Sequence, residues 1–355
     1  MDKRLLKAAK EVVDSLNKNL VSVAPLDEEK TKQLEEQFVS LLPLLKNDLG
    51  LKNVVWKQLP GQSGSKAEGC FVDQQLTYVA KRGSTRELAR ELVSRQLLEN
   101  LHLKESHLTD LILVGRTSTE TVFVQAASKG KALPELLQKP VLKKALLQTA
   151  KGLAELHLKD QHLAKPLSKE VQDYNFTLFY LIIQRMKEEI TQTDRIGISL
   201  EELDSLFKKM NIALMNQWGN SSYSHGDCAL EHLFFDEKSG RFTWIDTSSL
   251  VVSVDTNNHP IGFAPYDFSW AWCSLINEAF RHGLSAEDVC ELETHFRTEY
   301  ERLMGNSLSP KPARDLADVT KLLYFVRKAN HELKSNNDNR LQNLINYSIN
   351  YIKTL

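Results

Sequence analysis

Leu5, Ala9, Val12, Val13, Leu16 and Leu20 recur at the spacing of one face of a helix, and this predicts an amphipathic helix at the start of the chain. Pro25-Leu26-Asp27 interrupts it, and Asp27 is placed to cap a second helix that carries Leu34, Phe38, Leu41, Leu42 and Leu45. Asp48-Leu49-Gly50 ends the second helix. An apolar stripe on each helix predicts docking onto the rest of the chain, and the same stripes offer a surface to a protein partner. From Val54 the pattern changes to short β-type runs: Val54–Leu59, Gly69–Val72 and Leu76–Lys81. A helix from Ser84 to about Leu101 follows, then two more strands at Leu111–Val114 and Thr121–Val124. Beyond Leu133 the pattern is helical, broken by a hairpin from Leu233–Phe235 to Phe242–Ile245 that turns at Ser239-Gly240.

These elements describe an α+β protein of two lobes with a helical N-terminal extension. The expected boundaries are residues 1–50 for the extension, 51–127 for a small sheet lobe and 128–355 for a large helical lobe. A chain of 355 residues is long enough for each lobe to bury a proper core. A net charge of -1 gives no field that would favour nucleic acid or an anionic membrane. Cys70, Cys228, Cys273 and Cys290 are scattered, so neither a zinc site nor a disulfide framework is indicated and a reducing compartment is expected. No run approaches the roughly 20 apolar residues of a membrane span, and the N-terminus lacks an apolar signal core. The expectation is a cytoplasmic protein.

Chemistry concentrates in Ser224-His225-Gly226-Asp227, His232 and Trp244-Ile245-Asp246. Two carboxylates about twenty residues apart, the first five residues before a metal-ligand position, match the layout of a phosphoryl-transfer site. Asp227 would take or orient the proton of an acceptor hydroxyl. Asp246, at the end of the hairpin, would offer a hard oxygen to magnesium. Upstream, Lys81 ends Tyr78-Val79-Ala80-Lys81, a form in which a strand lysine meets phosphates. Ser84 and Glu87 fit a capping box, which leaves Glu91 to pair with Lys81 and makes Glu87 the second choice. The turn containing Gly61, Ser63, Gly64 and Ser65 would bring backbone N–H groups to phosphate oxygens, although such a turn is more often plain. His225 reads as support for its loop, because the position of the base is already filled by Asp227. Tyr174, Phe176, Phe179 and Tyr180 would line either an acceptor pocket or, more commonly, a helix core.

Ser224-His225-Gly226-Asp227, Trp244-Ile245-Asp246 and Leu153-Ala154-Glu155-Leu156-His157 together resemble the aminoglycoside phosphotransferase and choline kinase group of the protein-kinase-like fold. The resemblance covers roughly residues 54 to 300. It implies an ATP- and Mg2+-dependent phosphotransferase acting on a hydroxyl of a small molecule, with Asp227 as base and Asp246 on the metal. Gln125, Ala126 and Ala127 would form an interlobe hinge that offers backbone groups to adenine. In Ala264-Pro265-Tyr266-Asp267 the Asp would cap a helix. The departure is His232, which stands where the group carries Asn, and as a ligand an imidazole suits zinc, copper or nickel better than magnesium. The alternative implied by that change is a pseudokinase, or a protein-directed kinase-like protein, acting through protein–protein interaction.

Overall fold

Strands β1 (Val54–Gln58), β2 (Lys66–Val72) and β3 (Gln75–Ser84) form an antiparallel run. β2 and β3 turn through Asp73 and Gln74, both at positive φ, as a tight two-residue hairpin requires. The computed structural model describes residues 54–59, 66–84, 91, 94–95, 97–116, 120–193, 195–255, 257–332 and 339–355. The two helices and the partner surface expected at residues 1–50, the turn with Gly61, Ser63, Gly64 and Ser65, and Glu87 lie outside these residues.

Beside β3 lies β6 (Glu120–Ala126), and beside β6 lies β5 (Leu111–Arg116), giving a five-stranded sheet in the order β1-β2-β3-β6-β5. Ser84 is the last residue of β3 and pairs with Glu120, and the capping box expected of it with Glu87 falls outside the described residues. The β3–β6 ladder runs three residues past Lys81, and its backbone hydrogen bonds hold Ser84 extended. Helix α1 follows, with described residues 91, 94–95 and 97–101. A second sheet has the order β4-β9-β8-β7, from β4 (Ser106–Leu108), β7 (Lys131–Ala132), β8 (Leu233–Asp236) and β9 (Arg241–Trp244). The expected hairpin is therefore the centre of a sheet. β4 joins it in parallel, Ser106 opposite Phe242.

The helices are α2 (Leu142–Leu158), α3 (Lys169–Gln192), α4 (Leu200–Ala213), α5 (Ala264–Arg281), α6 (Ala286–Met304), α7 (Lys311–Glu332) and α8 (Asn339–Lys353). Ser199 with Glu202 and Ser285 with Asp288 make capping boxes that start α4 and α6. α5 is buried along most of its length, with Trp272 fully enclosed. Such an apolar helix belongs at the centre of a bundle, and each large side chain it buries contributes about 2–3 kcal/mol. Arg297 of α6 lies over the Trp272 ring at 4.2 Å and donates to Asp318 of α7 at 3.0 Å, so this interior charge has both a partner and a ring face. α2 meets β9 at Gly152, where a Cβ would sit 3.0 Å from Phe242. Among the described residues, no helix is long and apolar enough to cross a membrane.

Candidate active site

The loop Ser224–Asp227 is held from below by one carboxylate. Asp267 accepts the Gly226 N–H at 2.7 Å on Oδ1 and the His225 N–H at 2.5 Å on Oδ2. His157 Nε2 lies 3.3 Å from Oδ2, and its Nδ1 is 2.7 Å from the Tyr300 hydroxyl. Burial alone would push the Asp267 carboxyl up, but the hydrogen bond and charge of His157, with the loop's own donors, hold it below the usual range. Asp267 therefore does not cap α5. The N-cap is Phe263, and no side chain caps the helix there. The carboxylate instead serves two loop N–H groups that would otherwise be buried without acceptors.

Gly226 lies at φ +84°, and a Cβ there would come within 2.5 Å of the Ser249 Cβ, so the turn that presents Asp227 requires glycine. His225 is completely buried and stacks on Trp244, with ring centroids 5.0 Å apart. Its Nδ1 accepts the Asp227 N–H at 3.3 Å. Burial pushes its pKa down to about 4. The ring is thus a neutral strut for the loop. The unfolded ring takes a proton near pH 6.5 that the folded one refuses, so stability should fall as pH drops from 6.5 to 4, by about 3 kcal/mol. Urea unfolding at pH 7.5 and 4.5 tests this against His225→Gln. An equal pH loss in both proteins would mean that the folded ring does protonate.

Leu230–His232 forms a short 3-10 turn that swings His232 back over the loop. His232 Nδ1 lies 3.0 Å from the backbone carbonyl of Asp227, the distance of a donated hydrogen bond. That bond puts the proton of a neutral imidazole on Nδ1 and leaves the Nε2 lone pair free. Nε2 lies 3.7 Å from Asp246 Oδ2, and Nδ1 is 3.6 Å from Asp227 Oδ2. One ligand atom from each of Asp227, His232 and Asp246 falls within 4.8 Å of the others, close enough to surround one cation. Asp246 sits at φ 57°, ψ 52°, separated from the end of β9 by Ile245. A left-handed aspartate costs local energy, and such residues gather at functional sites.

Lys81 Nζ donates to both oxygens of Glu91, at 2.7 and 2.9 Å, and lies 3.7 Å from Asp246 Oδ1. Burial raises the Glu91 carboxyl, with Lys81 opposing. Burial also acts upward on Asp246, yet the charges of Lys81, His232 and His225 prevail and its pKa is lowered. Among the described residues no lysine is in contact with Asp227, and burial raises its carboxyl, His232 opposing. The two carboxylates are thus driven apart in basicity, one kept ionised and the other made readier for a proton.

Among solved structures, a choline kinase from Cryptosporidium parvum Iowa II matches with a TM-score of 0.53 and 14% identity, over 90% of this chain and 96% of that one. A thermostable mutant of the aminoglycoside phosphotransferase APH(4)-Ia, in a ternary complex with ADP and hygromycin B, matches with a TM-score of 0.54 and 12% identity, over 89% and 98% of the two chains. The fold is that of the aminoglycoside phosphotransferases and choline kinase. No protein-family model matches the sequence, and neither does any curated protein.

Within this kinase-like fold, Lys81, Glu91, Asp227, His232 and Asp246 converge. Gln125 and Ala127, expected to offer backbone groups to adenine, lie in β6 and just past its end. Gln125 lies in the β6 ladder opposite Val79, and its buried side chain accepts from Arg95 at 2.9 Å. The N–H groups of Ala126 and Ala127 donate to Asp110 and Thr77 at 2.8 and 2.9 Å. Sheet pairing has used these donors, so an adenine contact at Ala127 would go through its carbonyl. Sequence reasoning also left the aromatic run on α3 as pocket or core. Phe176, Phe179 and Tyr180 pack on Phe207 of α4, whereas Tyr174 is half-buried.

Proposed function

We propose that this chain is an ATP-dependent phosphotransferase that moves the γ-phosphoryl group to a hydroxyl of a small molecule. The observation that carries the reading is the convergence of a Glu91-braced Lys81 on Asp246 at 3.7 Å, with His232 standing between Asp246 and Asp227. Solved relatives in complex with ADP, AMP-PNP and GDP support a nucleotide as donor. Lys81 would neutralise phosphate oxygens, with Glu91 fixing its direction. Asp227 would accept the proton of the acceptor hydroxyl as the oxygen–phosphorus bond forms and the bond to the ADP oxygen breaks. Most of the rate would come from positioning and charge neutralisation.

Asp246 and His232 fit a divalent cation, since they supply an anionic oxygen and a free imidazole nitrogen, and Asp227 is left to the acceptor. When bound, that ion would neutralise phosphate charge. A nitrogen ligand moves the preference from magnesium toward manganese and later transition metals. Nucleotide affinity should therefore be higher with Mn2+ than with Mg2+. His232→Asn should narrow that ratio on the order of tenfold, and a ratio unmoved by the substitution would remove His232 from the metal.

Calorimetric titration of ATP into wild type and Asp246→Ala, with and without divalent cation, tests the central reading. Metal-dependent binding that Asp246→Ala abolishes supports it. Absence of nucleotide binding in both proteins would sink it. Binding that ignores both metal and mutation would favour the pseudokinase.

A further inference from the structure

Lys321 has no role in the site described above, yet it is the most unusual side chain near it. It projects from α7 into the interior and is 2% exposed. Its ammonium lies 3.0 Å from the ring centroid of Trp270, 3.8 Å from that of Tyr266 and 5.5 Å from that of Tyr324. Among the described residues it makes no hydrogen bond or ion pair. Ring faces offset only part of the cost of burying an ammonium group. Burial accordingly pushes its pKa well down, with Asp227 and Asp267 among the charges that pull it back up. Asp267 is occupied by the loop N–H groups. What the cage lacks is an anion.

The location gives that deficit a meaning. Lys321 lies over the ring of Tyr266 at 3.8 Å, and the next residue, Asp267, holds the Gly226 N–H at 2.7 Å, so the cage adjoins the loop that presents Asp227. Its three rings are each half-buried, although the lysine between them is enclosed. A ring cage beside a carboxylate would suit a cationic alcohol if it were empty. Here the chain's own lysine fills it, so a second cation would meet lost volume, and an acid that approached would restore the proton that burial disfavours.

We propose that Lys321 sets the acceptor class: its caged ammonium receives an acidic group, carboxylate or phosphate, of the hydroxyl acceptor and bars amino alcohols. The assignment rests on reading Asp227 as the site of phosphoryl transfer. Lys321 acts by binding and touches no reacting atom, so its removal is read in acceptor affinity.

The test is calorimetric titration of the full-length chain with four small alcohols: glycerate, glycerol 3-phosphate, glycerol and choline. Wild type should bind at least one acid about tenfold more tightly than glycerol, and whichever acid does so separates carboxylate from phosphate. Choline should not bind wild type. Lys321→Met keeps the bulk and removes the charge, and it should weaken the favoured acid at least tenfold with an unchanged melting temperature or a higher one. Lys321→Ala should open the cage and gain choline binding. The proposal is overturned if neither acid exceeds glycerol on wild type, if choline binds wild type as well as the acids do, or if Lys321→Met leaves the acid's affinity unchanged. Failure of ATP to bind would count against phosphoryl transfer alone. An acid site abolished by Lys321→Met would still stand, as a binding site without that reaction.

Discussion

Asp227→Asn should lower the phosphoryl-transfer rate by about 10²–10⁴-fold, the range spanned by a single positioned base, and should leave nucleotide affinity nearly unchanged. The amide keeps the volume and one oxygen of the carboxylate but cannot accept a proton at neutral pH. The loop around it is fixed by other groups: Gly226 and His225 by Asp267, and the Asp227 N–H by His225. The loss should therefore fall in the chemical step, read as a single-turnover rate of ADP formation beside a calorimetric affinity. A drop of less than tenfold would show that orientation and charge neutralisation by Lys81 and Asp246 supply nearly all of the rate, with no proton passing to residue 227.

Asp267→Ala should destabilise the fold by about 3–5 kcal/mol, the cost of breaking a buried charged network by deleting one member. Three donors lose their acceptor at once: the N–H groups of His225 and Gly226, and His157 Nε2. All of them are enclosed or nearly so, and water cannot replace the carboxylate without opening the interior. Asp267→Asn retains an accepting oxygen and should cost less. Urea unfolding of the two variants beside wild type checks both the size and the order. A cost below about 1 kcal/mol for Asp267→Ala would mean that the loop keeps its shape through Gly226 and the Trp244 stack alone.

The parts of the fold legible in sequence were those written in side-chain periodicity. β1, β2, β3, β5, β6 and the β8–β9 hairpin follow apolar runs closed by turn residues. β4 is three residues, Ser-His-Leu, and its partner is β9, far along the chain. No local pattern signals such a strand, because its existence depends on a distant edge. The site divides in the same way. Asp227, Asp246 and Lys81 stand in recognisable local contexts, and the structure brings them together. Asp267 looked like a helix cap because a sequence shows an acid in a first turn but not the backbone N–H groups that it serves 41 and 42 residues upstream. Lys321 sits in a helix that also carries Asp318, Arg327 and Lys328, and nothing in that spacing distinguishes an enclosed ammonium from a solvated one.

The parallel pairing of β4 with β9 also imposes an order in time. Ser106 leaves the ribosome 136 positions ahead of Phe242, the residue it must face. At about 5–20 residues per second, the β4 segment waits roughly seven to thirty seconds for its partner. Until the hairpin arrives, Asp246 has no strand to deliver it to Lys81. The five-stranded sheet is complete in sequence by Ala126, but the site it serves is assembled late in synthesis. A nascent chain arrested shortly before Trp244 would expose an unpaired strand edge that the finished protein covers.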